Sequence, residues 1–466
     1  MKSGMFKLCL FALLAAAGLL LSGCGGNSNP SQGVVIIEPE PDPVLEPTEF
    51  PLQISQNGRF LVAQDGQPFF IHGDSPQALI VNLSENDADF YLGRRAAQGF
   101  NVAWINLIAD EETGGRVDAS TFDGIVPFTT PRDLTTPNEA YFARADAMIQ
   151  LAAKHKQLVV LNPIETEGWL DVLQENGVDS AREYGRFLGN RYVGFDNIIW
   201  MHGNNFQTFE DPNDAALVQA VALGIQEFDN RHLHTSELAF YASGSLDDPS
   251  WRPILGLNGS FTYFITYVQV LKDYNRADFL PTFLIEANYE REAQGNIPGN
   301  IRRQAYWALL SGAAGHMYGH RSTWQFLPDW RNAINSVGAR HMEIVKDLFT
   351  SVAWFDLVPD QQHEVVTSGL GTFAQEDSLV LGENDYLTAA ATEDGTLAIA
   401  YLPNIRTITV NMGAFAGPAN LRWYDPTNGN FTGILNSAPN AGDLVLTPPG
   451  LNSEGTEDWV LLIQTN

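Results

Sequence analysis

Cysteine is almost absent. The chain of 466 residues carries 2, Cys9 and Cys24, both close to the N-terminus. No disulfide framework is available to the remainder, so its stability has to come from an apolar core. Positive charge is scarce as well: 26 Lys and Arg face 55 Asp and Glu, a formal net charge of −29. Nucleic-acid binders need clustered Lys and Arg, and no basic patch occurs in the sequence, which argues against that class of partner. A neutral ligand such as a glycan, recognised by hydrogen bonds and aromatic faces, is compatible with such a surface. No Gly-rich phosphate loop follows the first strand-like segment, and no repeat long enough for a solenoid is present. The serine of "LLSGAAG" lies outside a G-x-S-x-G elbow, which argues against serine-hydrolase chemistry.

Long apolar runs are missing too, apart from "LCLFALLAAAGLLL" near the N-terminus. That run follows the basic "MKSGMFK" and precedes the small residues of "LSGC", the order of a secretory signal. It is short for a membrane span. "LSGC" resembles the lipobox of bacterial lipoproteins, which implies a signal over 1–23, cleavage before Cys24 and lipidation of its thiol. Gly25 rather than Asp follows Cys24, which favours the outer membrane in a Gram-negative cell. Residues 24–49, with "GGNSNPSQG" and "EPEPDPVLEP", read as a solvated tether.

From there the texture alternates. An entry hairpin over Leu52–Val62 turns at Asn57-Gly58, and "PFFIHGD" gives a first strand, Phe69–Gly73, ending in Asp74. Further strands are expected at "NVAWINLI", "LVVLNPI", "NIIWMHG", "HLHTSE", "ILGLN", "PTFLIEANYE" and "AAGHMYGH". Helices are expected at Ser84–Gly99, Tyr141–Lys156, Ala181–Tyr192, Asp214–Asp229 and Arg302–Ser311. Such alternation predicts an α/β fold, a (β/α)8 TIM barrel over residues 50–360, with a doubly wound sheet as the alternative. Residues 361–466 change to short alternating runs separated by turn dipeptides such as Asp394-Gly395, and read as a small all-β sandwich.

Barrel sites form at the C-terminal ends of strands. Those ends present Asp74, Asn106, Asn162 and Glu165, His202 with Asn204 and Asn205, Glu237, Asn258, Glu286, and His316 with His320. Polar ends on apolar strands suggest a cleft for a hydroxyl-rich ligand. Glu286 stands out, a carboxylate closing the apolar strand of "FLIEANYE" with Tyr289 and Glu290 behind it. It reads as a nucleophile for glycoside hydrolysis, where a second carboxyl group protonates the leaving oxygen. Helix capping or an arginine partner is the plainer alternative.

"NGRFLVAQDGQPFFIHGDSPQ", "RRAAQGFNV", "NIIWMHGNNF", "PTFLIEANYERE", "RRQAYWALLSGAAGHMYGH" and "LRWYDPTNG" together resemble the apiosidase-like glycoside hydrolases (glycoside hydrolase family 140 and uncharacterised relatives). The resemblance runs from about Leu52 to the C-terminus. It implies a barrel joined to a C-terminal β-sandwich labelled as collagen-binding, and a retaining hydrolase of plant or algal glycans. Carried over, Glu286 matches the nucleophile, Asn204 the residue contacting a sugar hydroxyl, and Asp74 a subsite residue; Asn205 stands where the acid/base Asp is expected. An amide cannot supply that proton near neutral pH. Three readings stay open: another carboxyl (Glu237, Glu165 or Glu210) reaches the leaving group, the protein binds glycans without cleaving them, or the acid position lies at Asp74 or Glu237.

Further substrate contacts are expected from Asn106, His202, Glu237, Tyr289, His320 and Trp324. Among Trp104, Trp169, Trp200, Trp324 and Tyr289, two are expected to face the cleft, Trp324 first. His316 and His320 lie four apart, but on a strand end that spacing does not converge on a metal as it would on a helix. No metal or cofactor is implied. Arg302 and Arg303 are expected to pair on their own helix.

Overall fold

The computed structural model describes residues 49–206, 211–238, 241–374 and 380–465. Cys24, the signal and tether readings that depend on it, and Glu210 lie outside the described residues. Eight parallel strands build the barrel: β1 (Ile71–Asp74), β2 (Val102–Asn106), β3 (Leu158–Asn162), β4 (Ile198–Phe206), β5 (His234–Leu238), β6 (Asn258–Thr262), β7 (Thr282–Glu286) and β8 (Gly315–Tyr318). Nearly every residue in them is buried, as expected for parallel strands covered on both faces.

The strand period of two divides these residues between two environments. Val102, Trp104, Val160, Ile199, Met201, Phe283 and Ile285 fill the barrel interior together with Leu52, Leu61 and Phe69 of the entry hairpin. Ala103, Ile105, Val159, Leu161 and Trp200 face outward and meet the helices. Pairing runs from β5 round through β1 and β8 to β6 without a ladder between β5 and β6. That seam is held by single groups. Ser245 Oγ donates to Ser236 O and accepts from Gly259 N at 2.8 Å, and His234 O accepts from Gly256 N and Leu257 N at 2.9 and 3.2 Å.

The main helices are α1 (Glu85–Ala97), α2 (Glu139–Lys154), α3 (Thr166–Tyr192), α4 (Pro212–Gln226), α5 (Thr266–Tyr274), α6 (Pro298–Leu310) and α7 (Val337–Thr350). Polar caps fix their starts: Ser84 accepts from Asp87 N, Asn138 from Ala140 N, and Glu165 from Gly168 N. The third helix is longer than the sequence suggests. It begins at Thr166, not near Ala181, and breaks at Gly177, where φ is 75°. The sixth strand also differs. Asn258 opens it instead of closing it, accepting from Leu246 N at 3.1 Å. The apolar "ILGL" before it is a turn and approach to the strand, and the strand itself is the small, polar "NGSFT".

The C-terminal region is all antiparallel. A six-stranded sheet and a three-stranded sheet enclose a core that includes Leu402, Val410, Leu421 and Leu461. The large sheet packs its other face on α6 and α7, with Ile399, Tyr401 and Val460 against Tyr306, Trp307 and Phe349. Tyr306 and Tyr401 stack at 4.8 Å. Arg302 does not pair on its own helix: it reaches Asp458 at 2.8 Å, while Arg303 donates to Leu381 O at 2.6 Å. The two arginines therefore hold the sandwich to the barrel. Among the described residues no helix is long and apolar enough to cross a membrane.

Candidate active site

At the C-terminal ends of the strands a cavity of about 300 Å³ opens, lined by Gln77, Glu112, Glu167, Asn204, Asn205, Tyr263, Glu286, Tyr289, Glu292 and Trp324 among others. A larger cleft of about 590 Å³ lies at the other end of the barrel, between Asn57, Arg59, Gly312 and Asp394, away from the face where barrel chemistry is built.

Glu286 ends β7 with both carboxylate oxygens engaged. Tyr263 OH donates to Oε1, and Tyr289 OH donates to Oε2 at 2.8 Å. Tyr289 in turn accepts from Gln77 Nε2 at 3.0 Å, and Gln77 Oε1 accepts from Asn106 Nδ2 at 3.4 Å. A directed chain from β2 to β7 thus fixes the carboxylate. Burial pushes its pKa up, the two phenols pull it down and Glu167 and Glu292 push it up again, to about 7.

The "GNN" segment is a bulge. Gly203 pairs with Glu237 and Phe206 with the next residue, Leu238, so Asn204 and Asn205 are extra to the ladder. Gly203, Asn204 and Asn205 have φ of 108°, 88° and 59°. A Cβ on Gly203 would meet Glu237 O at 2.1 Å, so glycine is required there. Asn tolerates left-handed backbone better than most residues, and the bulge delivers both asparagines to the cavity wall. Asn204 Oδ1 accepts from Asn106 Nδ2 at 3.4 Å. Asn205 Nδ2 donates to Glu167 Oε2 at 3.4 Å, and its backbone N–H donates to Glu237 Oε2 at 3.2 Å.

The structure corrects several expected contacts. Asp74 does not line the cavity. It is buried in an ion pair with Arg95 Nε at 2.7 Å and accepts from Tyr91 OH. His202 alternates with the inward Met201 and so faces outward, bonded to His234 Nδ1 at 2.9 Å and stacked on Trp251. Glu237 is buried below the bulge; burial, then the Glu286 charge, hold its pKa well above the carboxylate range. Glu165 caps α3 and is likewise held high by burial and by Asp110. His320 caps a short helix, Arg321–Trp324, by accepting from Ser322 N at 3.0 Å, and so orients Trp324 without lining the cavity itself. Asn106 supports Gln77 and Asn204 from underneath.

Of the expected aromatics, Tyr289 and Trp324 line the cavity, whereas Trp104, Trp169 and Trp200 are core residues. Trp324 Nε1 donates to Glu292 Oε2 at 3.0 Å. His316 sits beside His72, with ring nitrogens 3.3 Å apart; among the described residues no group of His, Cys, Asp and Glu is placed to hold a metal ion. Several wall residues were not foreseen, among them Tyr263 just past β6 and Glu167 in the first turn of α3. Both follow segments whose sequence hides the element: a polar strand and a Gly-broken helix. Glu167 is open to solvent on one side; partial burial raises its pKa, the Asn205 bond lowers it, and Glu112 and Asp110 raise it.

Comparisons with known proteins identify the family and the fold. The family described as "Apiosidase-like, catalytic domain" matches residues 55–356, and "Putative collagen-binding domain of a collagenase" matches residues 376–464. A solved structure described as "Glycoside hydrolase" superposes with TM-score 0.76 at 24% identity, covering 89% of this chain and 97% of that one. A glycoside hydrolase family 5 structure from Bacteroides vulgatus gives TM-score 0.76 at 22% identity, covering 89% and 93%. These two share the fold. Among curated proteins no match is found. With more than half its length matched to the catalytic-domain family, the chain belongs to the apiosidase-like glycoside hydrolases.

Proposed function

We propose that the protein is a retaining glycoside hydrolase acting on plant or algal poly- or oligosaccharides, exported as a lipoprotein anchored through Cys24 at the outer membrane. The observation that carries the catalytic reading is Glu286, at the end of β7 in a polar cavity, with each carboxylate oxygen held by a tyrosine hydroxyl. Two phenol donors orient the carboxylate, as in-line attack on an anomeric carbon requires. The anchor rests on the basic, apolar and "LSGC" order of the first residues.

The cavity wall refines the substrate class. Glu112, Glu167, Glu286 and Glu292 line it, and none of its described lining residues is Lys or Arg. A uronate at the cleaved position would meet like charge, so a neutral glycosyl unit is favoured. Trp324 and the amides of Gln77, Asn204 and Asn288 offer an apolar face and hydroxyl partners.

The test is product release from a panel of neutral and acidic plant cell-wall oligosaccharides, with the anomeric configuration of the first product followed by proton NMR. Retention is expected, on neutral-ended substrates first. Inversion, or cleavage that survives Glu286→Gln, overturns the reading. A second reading, glycan binding without turnover, is favoured by one observation, the amide of Asn205 where the acid is expected. Calorimetric binding without hydrolysis, and turnover gained by Asn205→Asp, would select it.

A further inference from the structure

We propose that Glu167 is the acid/base residue of this site, and that Asn205 positions it instead of donating the proton. The inference rests on Glu286 being the nucleophile. Four glutamates besides Glu286 lie in or under the cavity close to the asparagine bulge, Glu112, Glu165, Glu167 and Glu237, with Asp110 buried beside Glu165 and outside the lining. Glu165 is spent on capping α3, accepting from Gly168 N at 2.9 Å, and Glu237 is buried beneath the bulge with Oε2 on Asn205 N. Neither lines the cavity. Glu292 does, but it follows β7 by a few residues and is tied to Trp324, on the nucleophile's own wall. A retaining pair needs its second carboxyl across the scissile bond.

Glu167 meets that requirement. It lines the cavity beside Asn204 and Asn205, and its Oε2 takes the Asn205 side-chain amide at 3.4 Å. Glu167 stands in the first turn of the helix that follows β3, four strands from β7 in a ring of eight, so the two residues enter the cavity from opposite sides of the barrel mouth. The Asn205 amide donates to the carboxylate but cannot hold the proton, so it orients one oxygen of Glu167 and leaves the other for the glycosidic oxygen. The charges of Glu286 and Glu167 oppose each other. Each ionised carboxyl disfavours ionisation of the other, so esterifying Glu286 removes one charge that opposes ionised Glu167 and makes it the better base in the second step.

The cycle balances. Glu286 attacks the anomeric carbon as the bond to the leaving oxygen breaks, and the Glu167 proton passes to that oxygen. In the second step ionised Glu167 takes a proton from water, the water oxygen bonds to the anomeric carbon, and the Glu286 carboxylate leaves. No co-reactant is consumed.

The experiment compares the full chain with its Glu167→Gln, Glu112→Gln and Glu286→Gln variants. The probes are alkyl and 2,4-dinitrophenyl glycosides of neutral pentoses and hexoses, with and without azide. Glu167→Gln is expected to lose on the order of 10²–10⁴-fold on alkyl substrates, and far less in the glycosylation step for dinitrophenyl ones. It is expected to be rescued by azide to a glycosyl azide of retained configuration, and to lose the alkaline limb of the kcat/KM profile. Asn205→Leu is expected to move that limb upward with little change in KM. Equal losses on both leaving groups without azide rescue, or the same signature in Glu112→Gln instead, overturns the assignment. Activity persisting in Glu286→Gln overturns the nucleophile reading separately. If none of the probes is cleaved, glutamate carboxyl NMR of the same proteins decides. A Glu167 signal titrating above the ordinary glutamate range and shifting in both Asn205→Leu and Glu286→Gln supports the pairing, and one indifferent to both refutes it.

Discussion

Asp458 and Glu286 are both buried carboxylates, and their surroundings are built on contrary rules. Asp458, where the sandwich meets the barrel, accepts from Arg302 at 2.8 and 2.9 Å, from Thr456 at 2.8 Å, from Asn452 at 2.9 Å and from Tyr401 at 3.1 Å. Burial pushes its pKa up, but the guanidinium and its hydroxyl donors more than offset this and hold it below the usual value. Glu286 has two phenols, no cation, and Glu167 and Glu292 near enough to oppose its charge. One cluster is neutralised and joins two domains. The other keeps an uncompensated charge where a reaction would use it, the pattern expected of functional sites.

The contrast can be broken at either end. The largest effect is expected from Glu286→Ala: if the proposed nucleophile is right, turnover falls on the order of 10⁴-fold or more, measured by product release from the best oligosaccharide of the panel. Next comes Arg302→Ala, which strands Asp458 without its cation and is expected to destabilise by about 3–5 kcal/mol in equilibrium unfolding. Its turnover per folded molecule should stay close to wild type, since the cleft is built elsewhere. Tyr263→Phe removes one donor from Glu286 and is expected to lower kcat/KM by about tenfold. The acidic limb of the pH profile, set by ionisation near pH 7, should move to higher pH because the carboxylate has lost a partner.

A smaller effect belongs to the barrel histidines. Burial lowers His316 and His234 to about 4 from an ordinary 6.5. The unfolded chain therefore takes up protons first as pH falls below 6.5. The stability tied to each neutral ring is intact above 6.5 and is lost progressively down to about 4, by about 1–3 kcal/mol per group. Urea midpoints measured across that range should fall, and fall less steeply in His316→Gln. A flat profile would remove the histidines from the account.

The barrel and the antiparallel region were legible because "VAWIN", "LVVLN" and "TFLIE" are apolar runs with polar ends. β6 was misplaced because four of its five residues are small or polar: Asn258 and Ser260 hold it by hydrogen bonds to Leu246 N and Asp273, and Phe261 alone supplies an apolar core side chain. The first half of α3 was missed for a related reason: Gly168 and Gly177 break the pattern, yet Glu165 caps the helix and Trp169 and Leu173 are buried by tertiary packing. Strand ends announced where the site lies. They could not say which side chain turns outward, as His202 does, or which finds a cation on a helix, as Asp74 does in Arg95. The bulge at Gly203 has its own signature, a glycine followed by two asparagines, but the distance from Asn205 to Glu167 exists only in the fold.

The central claim is that Glu286 is kept in a charged crowd at the expense of stability, for catalysis. Equilibrium unfolding of Glu286→Gln against wild type, run at pH 5 and pH 8, tests it most directly. A carboxyl whose folded pKa is raised to about 7 contributes stability that is present below the unfolded value of 4.5 and lost as pH rises through 7. The variant is therefore predicted to be more stable than wild type at pH 8, by about 1–3 kcal/mol, with a smaller gain or none at pH 5, while turnover disappears. A variant less stable than wild type at pH 8 would show that the carboxylate serves the fold, and would contradict the account.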